Sequence, residues 1–193
     1  MNFDNTQWLI EGEYRLMEDG IGLRSLTESD YFVNPLNGKV KSDAVFRYRE
    51  VEGDFIFKAR VSCYFDQDFD APILMAYDNE KLWTKVCFEQ TDQGTPAIVS
   101  VVTRDRSDDA IGEYINREEV WLLLARQGDT FSAHYSQDGD KYFMVRLAWL
   151  PMPKKIKVGF GVQSPTGGGV RAYFRNMSLK ERTPSDIRDA NKD

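Results

Sequence analysis

The segment 81–90 carries the side chains best suited to binding a small polar molecule. Its alternation predicts a β-strand on which Trp83, Lys85, Cys87 and Glu89 share one face, because successive side chains of a strand point to opposite sides. An aromatic ring can stack on a sugar, while a cation and a carboxylate can hydrogen-bond its hydroxyls. We therefore predict a ligand-binding face here; the alternative is an ordinary solvent-exposed sheet face.

Lys85 and Glu89 cannot pair with each other, since four residues of strand separate them by roughly 13 Å. Their partners must come from a neighbouring strand, and the next predicted strand, 97–104, ends on Arg104. We predict Arg104 as the basic neighbour of Glu89. The alternation does not decide which residues of 97–104 share the face with Glu89. They are either the alternate residues that include Arg104 or those that include Val99.

His134 is the only histidine of the chain. A histidine titrates near neutral pH, so it could act as a general base or contact a ligand; the alternative is a structural role. A three-residue hairpin loop at 137–139 would place it opposite Tyr142 on the polar face of its strand. We include His134 among the candidate ligand-binding residues, although no spacing predicts a catalytic triad.

Metal and nucleotide sites are not predicted. Asp66, Asp68 and Asp70 resemble the opening of a calcium loop, but Ala71 replaces its glycine and Tyr77 its final glutamate. The glycine run near residue 168 lacks the Lys-Ser/Thr of a phosphate-binding loop. The sequence therefore predicts no metal and no cofactor.

Period-2 alternation rich in β-branched and aromatic residues predicts the elements that position these side chains. About twelve short strands favour an all-β fold, a two-sheet antiparallel jelly-roll sandwich. We predict one domain over residues 1–182. The charged tail, 183–193, is expected to fray, with at most a short helix capped by Ser185.

Charge and composition limit the classes of partner. The formal net charge is -6, which disfavours nucleic acid and anionic membrane surfaces. No window reaches the roughly 18 apolar residues of a membrane span, and the N-terminus lacks a signal-peptide pattern. We predict a cytoplasmic protein in which Cys63 and Cys87 are free thiols on opposite faces of their strands.

Seven short motifs occur in an order that identifies a family resemblance. They are Ser-Asp-Tyr-Phe at 29–32, Glu-Gly-Asp-Phe at 52–55, Leu-Trp-Thr-Lys at 82–85, Val-Ser-Val-Val-Thr at 99–103, Ser-Asp at 107–108, Ser-Gln-Asp-Gly at 136–139 and Ser-Pro at 164–165. The chain resembles, over about residues 5–182, the domain-of-unknown-function family that includes the regulation-of-enolase protein. The resemblance implies the concanavalin A-like lectin and glucanase fold, a jelly roll whose larger, concave sheet often binds sugar.

Three functions are compatible with these observations. The first is a binding module that recognises a glycan or small polar metabolite on its concave sheet. The second is an intracellular interaction or regulatory protein that acts on a metabolic enzyme, as the name of the family member implies. The third is a cryptic carbohydrate-active enzyme, which ranks last because the Glu-x-Asp-x-x-Glu motif of the superfamily's glucanases is absent.

Overall fold

The computed structural model describes residues 5–193, and nearly every element in this part of the chain is a β-strand. In chain order the strands are β1 (Gln7–Ile10), β2 (Tyr14–Met17), β3 (Gly20–Arg24), β4 (Tyr31–Val33), β5 (Val40–Ser42), β6 (Val45–Glu52), β7 (Phe55–Cys63), β8 (Ala71–Asn79), β9 (Leu82–Gln90), β10 (Pro96–Arg104), β11 (Arg106–Tyr114), β12 (Glu119–Gln127), β13 (Thr130–Ser136), β14 (Phe143–Trp149), β15 (Lys155–Gln163) and β16 (Arg171–Lys180). A 3-10 turn, Ala190–Lys192, follows near the C-terminus. The first four residues of the predicted domain lie outside the described part.

Two large antiparallel sheets pack face to face. Sheet A has the strand order β1-β6-β15-β8-β9-β10-β11, and sheet B has the order β14-β13-β12-β7-β16-β3-β2. Strands β4 and β5 form a separate hairpin. The chain is thus a two-sheet antiparallel sandwich of the jelly-roll type, which confirms the fold class expected from the alternation.

The first core lies between the sheets. The alternation predicts that Phe55, Phe57 and Val61 point inward from β7, and all three are buried there against Phe88 and Phe160. Cys63 packs against the same core from the end of β7, whereas Cys87 points to the other side of sheet A; both thiols are free. The expected opposite orientation of the two cysteines is confirmed.

The outer face of each sheet is also covered in part. A second core lies on the outer face of sheet A, under the β4–β5 hairpin; it consists of Tyr31, Ala44, Phe46, Tyr48, Ala71, Ile73, Met75, Tyr77, Trp83, Cys87, Ala97, Val99 and Val101. A third, smaller cluster lies on the outer face of sheet B, where Ile187 and Ala190 of the C-terminal tail pack near Leu123 and Tyr142. Each sheet therefore carries an additional layer at one of these places.

The C-terminal tail is held by specific contacts. The Asn191 side chain accepts from the Tyr142 amide at 2.8 Å and donates to the Tyr142 carbonyl at 3.1 Å. The Asp193 carboxylate forms an ion pair with Arg182 at 2.9 Å and accepts from the Ser185 amide. The short helical turn is capped by Asp189 and not by Ser185.

The polar segment after Arg104 forms a strand, because 106–114 is β11, the edge strand of sheet A. The expected three-residue loop at 137–139 is wrong. The β13–β14 connection is longer: Tyr135 pairs with Phe143, and His134 lies opposite Met144 and not Tyr142. Phe143 is exposed at the start of β14, the edge strand of sheet B.

The described residues include no helix that is long and apolar enough to cross a membrane.

Candidate functional site

Strand β9 lies near the middle of sheet A and directs its odd-numbered side chains away from sheet B. Val86 and Phe88 enter the first core, while Trp83 and Cys87 enter the second. The predicted phase of this strand is therefore confirmed. The neighbouring strands β8 and β10 present apolar side chains on the same outer face, however. Lys85 and Glu89 of β9 therefore lie in apolar surroundings.

Trp83 is not the exposed stacking platform that the sequence suggested. The side chain is fully buried, and its Nε1 donates to the carbonyl of Glu80 at 3.2 Å. The Tyr31 ring of the hairpin packs edge-on against it, with centroids 6.4 Å apart. The ring therefore serves as part of the second core and cannot stack on a ligand while the hairpin is in place.

Lys85 is a buried ammonium whose three protons are matched by three acceptors. Its Nζ donates to Gln163 Oε1 at 2.7 Å, to the Tyr31 carbonyl at 2.8 Å and to Asp30 Oδ1 at 3.2 Å. Burial by itself lowers the pKa of Lys85, but Asp30, Cys87 and Glu89 raise it, and the net shift is upward. Lys85 thus stays charged and ties the hairpin to sheet A.

Glu89 lies at the end of this polar row and keeps 8% of its surface exposed. Gln163 bridges it to Lys85, because the amide that accepts from Lys85 donates through Nε2 to Glu89 Oε2 at 3.4 Å and to the Phe69 carbonyl at 3.2 Å. Glu89 Oε1 has no hydrogen-bond partner within the described part of the chain. Burial raises the pKa of Glu89 from 4.5 to about 8; Lys85 opposes the shift and Asp30 adds to it.

The strand register defines which other residues share this face. Glu89 pairs with Ala97, and Ala97 pairs with Tyr114 of β11. Glu89 and Tyr114 therefore lie in one row across three strands, roughly 10 Å apart. The row through Lys85 continues in the same way through Val101 to Asp109.

The hairpin covers one end of the outer face and leaves the other open. At the covered end, the Val33 amide donates to Ser107 Oγ at 2.8 Å. At the open end, Ile111 and Tyr114 are 42% and 44% exposed, and Tyr114 Oη donates to Gln93 at 2.8 Å. Glu89 lies at this open end, so its carboxyl group borders on solvent.

Arg104 is not a neighbour of Glu89. It pairs with Leu82 at the opposite end of β9, and its guanidinium lies 5.7 Å from the Trp149 ring of sheet B. The prediction is wrong because Val99, not Arg104, belongs to the set of β10 residues on the outer face.

His134 belongs to sheet B and cannot join the same site. It is buried beneath the C-terminal tail, and its Nε2 lies 3.0 Å from Ser132 Oγ. Burial lowers its pKa, against a hydrogen bond with the backbone of Ile187. These contacts fit a structural histidine better than a catalytic one.

The calcium-like segment has a structural explanation. The Asp70 carboxylate accepts from the amides of Asp66 and Gln67, both at 2.9 Å, and so closes the turn. Within residues 5–193 no group of three or more histidine, cysteine, aspartate or glutamate side chains is arranged to hold a metal ion.

Sequence reasoning missed Asp30, Tyr31 and Gln163, which complete the polar row. The signal lay in the motifs: Asp30 and Tyr31 belong to the Ser-Asp-Tyr-Phe motif, and Gln163 directly precedes Ser-Pro at 164–165. The motifs that contain Lys85 and Ser107 meet at the same place. Val99 and Val101 of a further motif lie in the second core, so five of the seven motifs converge on the contact between the hairpin and sheet A.

Comparison with known proteins identifies the family to which the chain belongs. Residues 8–182 match the family described as "Protein of unknown function (DUF1349)", and the chain belongs to that family. It is similar to "Regulation of enolase protein 1" of Saccharomyces cerevisiae, with 25% identity over 174 residues, which cover 89% of this chain and 87% of the yeast protein.

Solved structures support the fold. A functionally unknown protein from Saccharomyces cerevisiae superposes with a TM-score of 0.88 at 22% identity, over 95% of this chain and 100% of that one. The carbohydrate-binding module CBM66 from Bacillus subtilis superposes with a TM-score of 0.57 at 12% identity, over 91% and 95% of the two chains. At these identities the likeness shows a shared β-sandwich and nothing finer.

The raised pKa of Glu89 predicts a pH-dependent stability. The unfolded chain ionises this group near 4.5, whereas the folded chain keeps its proton to about 8. The resulting stabilisation is fully present below about pH 4.5 and is lost as the pH rises from there to about 8. We expect the free energy of unfolding of wild type to fall relative to Glu89→Gln by up to about 1.4 kcal/mol per pH unit between these two values.

Urea denaturation at several pH values measures this difference. Glu80→Gln is the matched control, since Glu80 is exposed in the turn between β8 and β9 and its replacement removes one carboxylate outside the polar row. A constant difference between wild type and Glu89→Gln would show that Glu89 ionises normally in the folded protein.

Proposed function

We propose that this protein is a binding module that holds a small, neutral polar ligand, a glycan or hydroxyl-rich metabolite, at the open end of the outer face of sheet A. The observation that carries the proposal is Glu89: a carboxyl group fixed by Gln163 through one oxygen, with its other oxygen unpartnered at the border with solvent. Preformed polar groups of this kind orient small ligands in apolar surroundings.

The state of Glu89 indicates the class of ligand. Because its pKa is raised to about 8, the carboxyl group is protonated at neutral pH and can both donate and accept a hydrogen bond. A neutral hydroxyl matches such a group without leaving an unpaired buried charge. The open end thus favours sugars and other polyols over organic cations or phosphates.

Tyr114 supplies the aromatic surface that Trp83 cannot. It shares a row with Glu89, its ring is 44% exposed, and its hydroxyl is fixed by Gln93. An exposed ring beside a hydrogen-bonding group is an arrangement that stacks on the apolar face of a sugar. The proposal also includes a cytoplasmic location, and the expected ligands are therefore intracellular sugars or sugar derivatives.

A panel of neutral mono- and oligosaccharides and polyols, measured by thermal shift and then by calorimetry, tests the proposal. We expect at least one compound to raise the melting temperature of wild type. Glu89→Ala and Tyr114→Ala should each weaken its binding by about five- to tenfold, the loss expected from one hydrogen bond or one stacked ring.

Tyr64→Ala is the matched control, because Tyr64 is an exposed tyrosine that directly follows β7 of the other sheet. Its affinity should equal that of wild type. If all four proteins bind the compound equally, or if no neutral compound binds and only phosphorylated ones do, the proposed site is wrong.

A regulatory role through a protein partner is the second candidate. The observation that favours it is the name of the yeast relative, "Regulation of enolase protein 1". Addition of the purified protein to an enolase assay tests it directly. An effect on enolase that Glu89→Ala retains in full would favour this candidate over the sugar-binding site.

A further inference from the structure

A groove runs along β2, at the edge of sheet B far from the Glu89 site. Its volume is about 800 Å³. Gly22 forms part of the floor, and the Tyr173 ring lies 3.1 Å from the position that a Cβ atom would take there. The Tyr173 ring thus packs over Gly22 where a side chain would otherwise lie, and Arg15 lies on the other side of Gly22 in the strand register.

Three exposed arginines line this groove without a counterion. Arg15, Arg24 and Arg171 form no ion pair and no side-chain hydrogen bond with the described residues. Arg175, two residues further along β16 from Tyr173, is by contrast paired with Asp19 at 3.5 Å. A chain with a net charge of -6 therefore keeps unpaired positive charge at one edge.

The pairing of Arg24 with Arg171 is unfavourable on its own. The two residues lie directly opposite each other on β3 and β16, and like charges in cross-strand pairs destabilise a sheet. An anion bound between them would remove this repulsion, and guanidinium groups bind carboxylates through paired hydrogen bonds. The register thus points to an anionic partner.

The edge position of β2 indicates an extended protein segment. β2 ends the strand order of sheet B, so its outer backbone groups have no neighbouring strand within the described part of the chain. Tyr14 and Leu16 on this strand are 50% and 56% exposed and offer apolar contact. Glu13 and Glu18 lie at its two ends and confine the positive charge to the middle of the groove, which suits a short acidic segment better than the continuous phosphates of a nucleic acid.

We propose that the β2 edge is a docking surface for an extended acidic segment of a partner protein. The segment lies alongside β2, uses its backbone to extend sheet B, and directs its carboxylates toward Arg15 and Arg24. Arg171, on the third strand from the edge, adds to the positive potential that attracts the segment. This site is independent of the sugar-binding proposal, since it uses the other sheet and none of the residues around Glu89.

Fluorescence anisotropy with labelled model peptides tests the proposal. The probe is a peptide of about ten residues that alternates glutamate with threonine, long enough to span an edge strand; a lysine–threonine peptide is the charge control. We expect the glutamate peptide alone to bind, and binding to weaken with added salt. Arg24→Glu combined with Arg171→Glu should weaken it by about tenfold or more.

Lys39→Glu combined with Lys81→Glu is the matched control. It makes the same change in net charge at two exposed lysines on the sheet A side of the molecule, and peptide binding should be retained. Equal loss in both double variants would show that net charge alone attracts the peptide, and would overturn the proposal.

Three further results would also overturn it. One is tight binding of an oligothymidylate at the same arginines, and another is displacement of the peptide by inorganic phosphate at constant ionic strength, which would assign a small-anion site. The third is a dimer in solution, by light scattering, that Arg24→Glu combined with Arg171→Glu dissociates, since the occupant would then be a second copy of the chain.

Discussion

Replacement of Trp83 by alanine is expected to lower the free energy of unfolding by about 3–5 kcal/mol, as for other fully buried large aromatic side chains. The ring is completely buried between sheet A and the hairpin, where it contacts Tyr31 and donates to the Glu80 carbonyl. Its removal leaves a cavity in the second core and weakens the hold on the hairpin. Urea denaturation with a two-state fit measures the loss.

Trp149→Ala is the control for this experiment. Trp149 is 64% exposed and contacts Arg104 through a cation–π interaction, so its removal should cost no more than about 1 kcal/mol. A Trp83→Ala protein that keeps its stability but loses sugar affinity would mean that the hairpin opens and that Trp83 meets the ligand after all.

The strands and their faces were accessible from the sequence. The alternation in β7 correctly placed Phe55, Phe57 and Val61 in the first core, and that in β9 correctly placed Trp83 and Lys85 on the opposite side. These predictions depend only on the period of 2 within one strand, which is a local property.

The burial of that opposite side could not be predicted from β9 alone. Trp83, Lys85, Cys87 and Glu89 form a polar-looking set, but their environment is set by neighbouring strands. A signal was available in β8, whose run from Ala71 to Tyr77 is apolar at nearly every position, as in strands that are covered on both faces. Such a run predicts a covering layer without identifying it as the β4–β5 hairpin.

The errors for Arg104 and His134 have a different origin. The position of Arg104 depends on the register between β9 and β10, and one residue of register moves a side chain to the other face. The position of His134 depends on which sheet β13 joins and on the return of the C-terminal tail. Both are long-range properties of the fold that no local pattern contains.

The arrangement around Lys85 also explains why a buried cation persists in an apolar layer. The sheet offers Gln163 and the hairpin offers Asp30 and the Tyr31 carbonyl, so all three ammonium protons are satisfied only when the hairpin is docked. Lys85 thus couples the position of the hairpin to the orientation of Gln163, and Gln163 in turn orients Glu89. The docking of the β4–β5 hairpin and the orientation of Glu89 therefore both depend on Lys85.

Lys85→Met is therefore expected to lower the free energy of unfolding by about 3 kcal/mol, the cost of removing one partner from a buried ion pair. Methionine fills much of the same volume, but it leaves Asp30, whose side chain is only 16% exposed, without its counterion. Asn in place of Asp30 removes that stranded charge, so Lys85→Met combined with Asp30→Asn should recover part of the loss. Lys81→Met, at an exposed lysine of the same sheet, should change stability by no more than about 0.5 kcal/mol. Urea denaturation of the four proteins decides the matter: if Lys85→Met is as stable as Lys81→Met, the ammonium does not hold the hairpin, and the orientation of Glu89 must be set in another way.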